Sequence, residues 1–141
     1  MQYYIQVIKN YTNFKGRARR KEYWMFFLFN FIFALVASIL DRIMGTTFTM
    51  SGINVGYGYI YLLYGLFTLL PSLAALVRRL HDIGKSGWFF LVCFIPIAGI
   101  IWLIVLLCKD STPGPNKYGP NPKGIGNVDE FDFMSMPDAN R

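Results

Sequence analysis

Three long apolar stretches, Tyr23–Leu40, Tyr57–Val77 and Trp88–Cys108, alternate along the chain with clusters of Arg and Lys. Crossing roughly 30 Å of hydrocarbon takes about 20 apolar helical residues. The second and third stretches each hold 21 residues without one Asp, Glu, Lys, Arg or His. The solvent for this chain is therefore a lipid bilayer, where only helices and closed barrels satisfy their own backbone. In 141 residues there is room for one membrane domain and none for a separate soluble catalytic domain. The expected fold class is an all-α integral membrane protein. It comprises an N-terminal interfacial amphipathic helix, two transmembrane helices, and a third apolar segment broken at Pro96 and Gly99.

The charge pattern narrows the partners. A net charge of +6 is compatible by itself with nucleic acid, but the cations flank apolar spans instead of lining a soluble face, which fits anionic lipid headgroups and argues against nucleic acid. Cys93 and Cys108 lack metal-ligand spacing, and His81 is the only histidine, so neither a metal nor a cofactor site is expected. A cleaved signal peptide is disfavoured: the first apolar run exceeds the about 7–15 residues of such a segment, and Ala34-Leu35-Val36-Ala37 lacks small-x-small spacing.

Along the chain, Tyr4, Val7, Ile8, Tyr11 and Phe14 recur at helical spacing, predicting an amphipathic helix over 2–14 that lies in the headgroup plane. The first span covers 23–44. Within it the Asn30 amide needs a partner on another helix, and Ala34 and Ser38 offer a small face for close approach. Residues 43–56 read as a turn-rich connector, with Asp41 and Arg42 at the far interface. The second span covers 57–77 and should kink at Pro71; Gly84 then provides a left-handed helix cap. The third segment, 88–108, is either a kinked span or a re-entrant hairpin. The amino terminus is expected to be cytoplasmic, because Lys9, Lys15, Arg17, Arg19, Arg20 and Lys21 precede the first span. Three full crossings then place nine Lys or Arg inside and five outside, whereas a hairpin places thirteen inside and one outside. The positive-inside rule favours the hairpin. A turn-rich tail over 109–126 and a disordered end over 127–141 complete a single membrane domain, 1–126.

No catalytic residue is expected. Gly84-Lys85-Ser86 resembles the close of a phosphate loop, but Arg79 stands where that motif needs Gly and no strand precedes it. The candidate site is collective: Arg17, Arg19, Arg20, Glu22, Arg78, Arg79, His81 and Asp82 sit at the bases of the first two spans. They form a network whose surplus positive charge would bind an anionic lipid headgroup or the acidic segment of a membrane-protein partner. The alternative function is a transporter or channel subunit with a polar midplane path lined by Asn30, Thr68 and Ser72. Two spans and a hairpin bury little on their own, so a homo-oligomer is also expected.

Four blocks in order carry a resemblance: Phe14-Lys15-Gly16-Arg17-Ala18-Arg19-Arg20-Lys21-Glu22-Tyr23-Trp24, Arg78-Arg79-Leu80-His81-Asp82-Ile83-Gly84-Lys85-Ser86-Gly87-Trp88, Ile95-Pro96 with Gly99, and Gly114-Pro115-Asn116-Lys117-Tyr118-Gly119-Pro120-Asn121-Pro122. With these the chain resembles the YhaH-like family of small bacterial inner-membrane proteins, a domain of unknown function. Asn121 departs from the acidic residue typical of the family, which argues against a catalytic or metal role for the tail. The resemblance implies a multi-pass protein of the bacterial inner (cytoplasmic) membrane and no established activity.

Overall fold

A computed structural model describes residues 2–50 and 52–127. The order of elements is helix α1 (Gln2–Lys9), helix α2 (Arg20–Met44), strands β1 (Thr47–Met50) and β2 (Ile53–Gly58), helix α3 (Tyr59–Asp82), a 3₁₀ segment (Gly87–Phe94) and helix α4 (Ala98–Cys108). Most of the expected disordered end, 128–141, lies outside the described residues. The chain forms two compact units: one of Met1–Phe14 with Lys21–Val77, the other of Lys15–Arg20 with the chain from Arg78 onward.

In the first unit α2 and α3 are long enough to span a bilayer, and their apolar windows are only 11% and 28% buried. A core helix of a water-soluble protein hides such a surface; here it faces outward, as lipid requires. The two helices meet through Phe26 and Ala75, with Val7 of α1 completing a small core against which Tyr4, Ile8 and Tyr23 pack. Tyr4 stacks on Phe26 at 5.4 Å and also meets the rings of Phe29 and Phe33. The apolar face of α1 is thus used on protein as well as being available to lipid.

Two expectations are corrected here. Helix α1 ends at Lys9, short of the predicted Phe14, because the Asn10 amide donates to the Gln6 carbonyl at 2.9 Å and the chain leaves the helix in turns. The connector is no plain loop: β1 and β2 pair antiparallel, with Met50 opposite Ile53 and Thr47 opposite Gly58. Thr47, Phe48 and Thr49 on one side and Ile53, Val55 and Tyr57 on the other are strand formers, and Gly52 takes the left-handed conformation between them.

Asp41 does more than mark an interface. Fully buried near the end of α2, its carboxylate accepts from Thr46 Oγ1 (2.6 Å) and from the backbone N–H groups of Ile60 (3.0 Å) and Tyr61 (2.8 Å). These are first-turn donors of α3, which have no partner within their own helix. Gly58 leaves the space for this cap, since a Cβ there would lie 2.5 Å from the Asp41 carboxyl carbon.

The third apolar segment folds back on itself. The 3₁₀ segment runs to Phe94, and a tight turn centred on Ile97 (φ 64°) closes with Ala98 N–H donating to the Pro96 carbonyl at 2.7 Å. Helix α4 then returns, bringing Trp102 to 6.1 Å from Phe89. Gly99 is the point of closest approach: an added Cβ would sit 1.8 Å from the Val92 carbonyl oxygen. Of the two geometries open from the sequence, the hairpin is the one observed.

Candidate functional site

The second unit is organised around the last turn of α3. That helix ends in a Schellman cap: Lys85 N–H bonds the Leu80 carbonyl, Gly84 N–H bonds the His81 carbonyl, and Gly84 has φ 74°. The cap holds Arg79, His81 and Asp82 in helical geometry up to the point where the chain turns away. All three are buried.

Asp82 is the centre. Its Oδ1 accepts from Arg17 Nε at 3.0 Å, and its Oδ2 accepts from Arg79 Nη1 and, at 2.6 Å, from Ser111 Oγ. Two guanidinium groups on one carboxylate leave a buried cluster with excess positive charge, and backbone carbonyls supply the balancing dipoles. Arg17, its side chain 1% exposed, donates to the carbonyls of Thr112 (2.6 Å), Gly114 (2.8 Å), Asp82 (3.2 Å) and Gly119 (3.3 Å). Arg79 donates to the carbonyls of Leu107 (3.1 Å) and Lys109. Only a planar fork with five donors can reach that many acceptors at once, which is why these positions need Arg and not Lys.

These contacts tie together the segment before α2, the end of α3 and the tail after α4. Thr112 N–H and Oγ1 both donate to the Asp82 carbonyl. Asn116 Nδ2 donates to the His81 carbonyl and Asn121 Nδ2 to the Thr112 carbonyl, while Asn121 Oδ1 accepts from Lys123 N–H. A carboxylate at 121 has no N–H with which to make the bond to Thr112, so Asn at this position serves the architecture of the tail.

His81 stacks face to face on Tyr118 at 3.6 Å. Its Nδ1 is buried and meets no hydrogen-bond partner among the described residues. The imidazole lies beyond the apolar run that ends at Val77. Burial pushes its pKa below the ordinary value of 6.5; the Gly16 backbone acts in the opposite direction and Lys117 reinforces the fall. On the tail, the Lys123 ammonium and the Ser111 N–H hold the Asp110 carboxyl below the usual carboxylate range.

The structure therefore brings together Arg17, Arg79, His81 and Asp82. Arg19 donates to the Pro122 carbonyl and Arg20 to the Cys108 carbonyl, and both remain exposed. Arg78 is buried, its own carbonyl accepting from Ala18 N–H. Glu22 is buried in the first turn of α2 and belongs to the first unit. Ser111, Thr112, Asn116 and Asn121 complete the knot and were not singled out from the sequence as members of it. Their only signal was a run of small hydrogen-bonding residues in a tail otherwise broken by Pro and Gly. Among the described residues no group of three or more His, Cys, Asp or Glu side chains is placed to hold a metal ion.

Of the polar residues on the alternative midplane path, Thr68 returns its hydroxyl to the Tyr64 carbonyl of its own helix at 3.0 Å. Asn30 and Ser72 open onto one groove with Tyr23, Phe27 and Leu69.

Comparison with known proteins places this arrangement. Residues 11–120 match the family described as Protein of unknown function (DUF805). The chain is 46% identical over 123 residues to inner membrane protein YhaH of Escherichia coli (strain K12), covering 87% of this chain and 98% of that protein. It is 44% identical over 123 residues to inner membrane protein YhaI of the same strain, covering 87% of this chain and 97% of that protein. No solved structure matches. The matched region contains Arg17, Arg79, Asp82, Ser111, Thr112 and Asn116, so all of the knot except Asn121 lies inside it, and the chain belongs to the DUF805 family.

Proposed function

We propose that the protein is a non-enzymatic component of the bacterial inner membrane whose second unit grips anionic lipid headgroups from the cytoplasmic side. The observation that carries this reading is an imbalance: the described part of that unit holds ten Lys and Arg against two Asp. Asp82 and backbone carbonyls absorb Arg17 and Arg79, while Arg19, Arg20, Lys85, Lys109 and Lys117 stay exposed. Each exposed cation near an anionic surface contributes about 1 kcal/mol, so five give a strong preference for phosphate-bearing headgroups. Trp88, 75% exposed at the start of the hairpin, is the residue type that settles at the headgroup boundary.

Geometry supports the orientation. The 3₁₀ arm has 8 residues and α4 has 11; at about 2.0 and 1.5 Å per residue each is roughly 16 Å long, half the hydrocarbon thickness. The hairpin leaves from near Asp82 and returns to Lys109, whose carbonyl Arg79 holds. An apolar loop of this kind enters the bilayer and comes back to the same face. The described cations of that unit then lie on one side, the cytoplasmic one by the positive-inside rule. YhaH and YhaI, both inner membrane proteins, support the same home.

The test uses the full chain in nanodiscs of phosphatidylcholine containing increasing phosphatidylglycerol, with retained lipids counted by native mass spectrometry. Phosphatidylglycerol should be retained preferentially, and Lys85→Gln with Lys109→Gln should weaken the preference by about 2 kcal/mol, roughly thirtyfold, while leaving insertion intact. Equal retention of the two lipids by the unaltered protein refutes headgroup recognition. Retention unchanged in the double variant assigns these cations to the acidic segment of a partner protein instead.

A further inference from the structure

The first unit carries a feature that lipid anchoring does not use. Tyr64 Oη donates to Asn30 Oδ1 at 2.7 Å, so in the 3.3 Å contact between Tyr4 Oη and Tyr64 Oη it is Tyr4 that donates. The chain of hydrogen bonds therefore ends on the oxygen of the Asn30 amide and leaves its NH₂ with no acceptor among the described residues. Ser72 Oγ likewise has no hydrogen bond among them. Both residues line an open groove of about 370 Å³ between α2 and α3, otherwise walled by Tyr23, Phe27, Leu69 and two further leucines. No residue of α1 lines it.

Depth makes this arrangement costly for a lone chain. Asn30 is ten residues along α2 from Arg20 and Ser72 six residues before Arg78, which is roughly 15 Å and 9 Å along the axes. Both lie within hydrocarbon, where an amide NH₂ or hydroxyl without a partner is unfavourable and acyl chains offer no acceptor. The occupant must bring hydrogen-bonding groups to the same depth. A second copy of this chain, related by a two-fold axis along the membrane normal, does so by symmetry, because every residue then lies at the same depth as its equivalent and residues lining a groove at the axis meet theirs. Asn and Ser are each donor and acceptor, so the pairing is self-complementary. We propose that the α2–α3 groove is the interface of a parallel homodimer, with Asn30 and Ser72 hydrogen-bonding across it.

Interhelical hydrogen bonds of this kind are worth about 0.6–2 kcal/mol each, a roughly threefold to thirtyfold change in dimerisation. The experiment measures the dimer fraction of the full chain in lipid vesicles by single-molecule photobleaching over a range of protein-to-lipid ratios. Dimers should form, and Asn30→Leu and Ser72→Ala should each shift the midpoint to higher protein density by that factor. Ser72→Ala leaves the Tyr64–Asn30 bond in place, so its effect does not depend on refolding around Asn30. In a background lacking Cys93 and Cys108, Ser72→Cys should cross-link on oxidation and Leu63→Cys, outside the groove, should not. A chain that stays monomeric at every ratio overturns the proposal, as do dimers indifferent to both substitutions or cross-linking as efficient at Leu63 as at Ser72. Preferential lipid retention would survive any of these failures.

Discussion

Replacing Arg17 tests whether the polar knot depends on a guanidinium fork or merely on a positive charge. Its side chain makes six hydrogen bonds, two to side chains and four to carbonyls. Hydrogen bonds to a charged group are worth about 1.5–3 kcal/mol singly, but they are not additive in one cluster. Breaking a buried ion pair by removing one partner costs about 3–5 kcal/mol, which bounds the whole effect. Asp82 keeps Arg79 and Ser111, so Arg17→Gln belongs at the lower end, about 3 kcal/mol, a roughly hundredfold rise in the open tail. Arg17→Lys keeps the charge, yet one ammonium cannot span Asp82 and the Thr112, Gly114 and Gly119 carbonyls, so it should recover at most about half of that energy. Hydrogen exchange in nanodiscs reads the outcome at the Thr112 and Asn116 amides, which are bonded to the carbonyls of Asp82 and Gly119. Protection in Arg17→Lys equal to that of the unaltered protein would refute the fork argument. Unchanged exchange in Arg17→Gln would remove Arg17 from the knot altogether.

What could be read from the sequence follows from which signals are local. The spans were legible because a charge-free run long enough to cross hydrocarbon has few other uses, and Gly84 because a helix end followed by Gly has one favoured geometry. Pro96 and Gly99 marked the break, although only the fold shows the chain doubling back. The strands over 47–58 were hidden by the three glycines around them, which read as turns, although Thr47, Phe48 and Thr49 favour extended backbone. The role of the arginines was hidden for a deeper reason. Arg17 binds carbonyls as much as 102 residues away, and a carbonyl belongs to every residue, so it leaves no mark in the sequence. The clustering of Arg17, Arg79 and Asp82 was foreseeable from charge; their burial was not. Asp41 escaped for the same reason, since the donors it caps are backbone N–H groups.

Further outcomes follow from single contacts. Gly58→Ala should destabilise the first unit by about 1–3 kcal/mol in detergent denaturation, because its Cβ would lie 2.4 Å from the Thr46 carbonyl and 2.5 Å from Asp41. Gly65→Ala, with nothing within 4 Å, should be neutral or slightly stabilising, and equal effects at the two sites would discount the Asp41 cap. His81 has its folded pKa lowered from 6.5, so its contribution is complete above that value and falls as pH drops below it, by at most about 1.4 kcal/mol per pH unit until the folded pKa is reached. The Tyr118 ring resonances should report release of the stack on acidification, and His81→Phe should remove the pH dependence; a transition unchanged in that variant would assign it to another group. Gly99→Ala separates the hairpin from a continuous span. In helical backbone Ala is favoured over Gly by about 1 kcal/mol, so a segment crossing as one kinked helix gains from the change. Phe89 and Trp102 would then lie roughly 20 Å apart, thirteen residues at about 1.5 Å each. In the observed fold the same methyl group meets the Val92 carbonyl at 1.8 Å and the rings are 6.1 Å apart. The substitution should therefore destabilise the segment and lengthen the distance between spin labels at 89 and 102, and a stabilised Gly99→Ala variant with unchanged label distances would refute the close approach of the two arms.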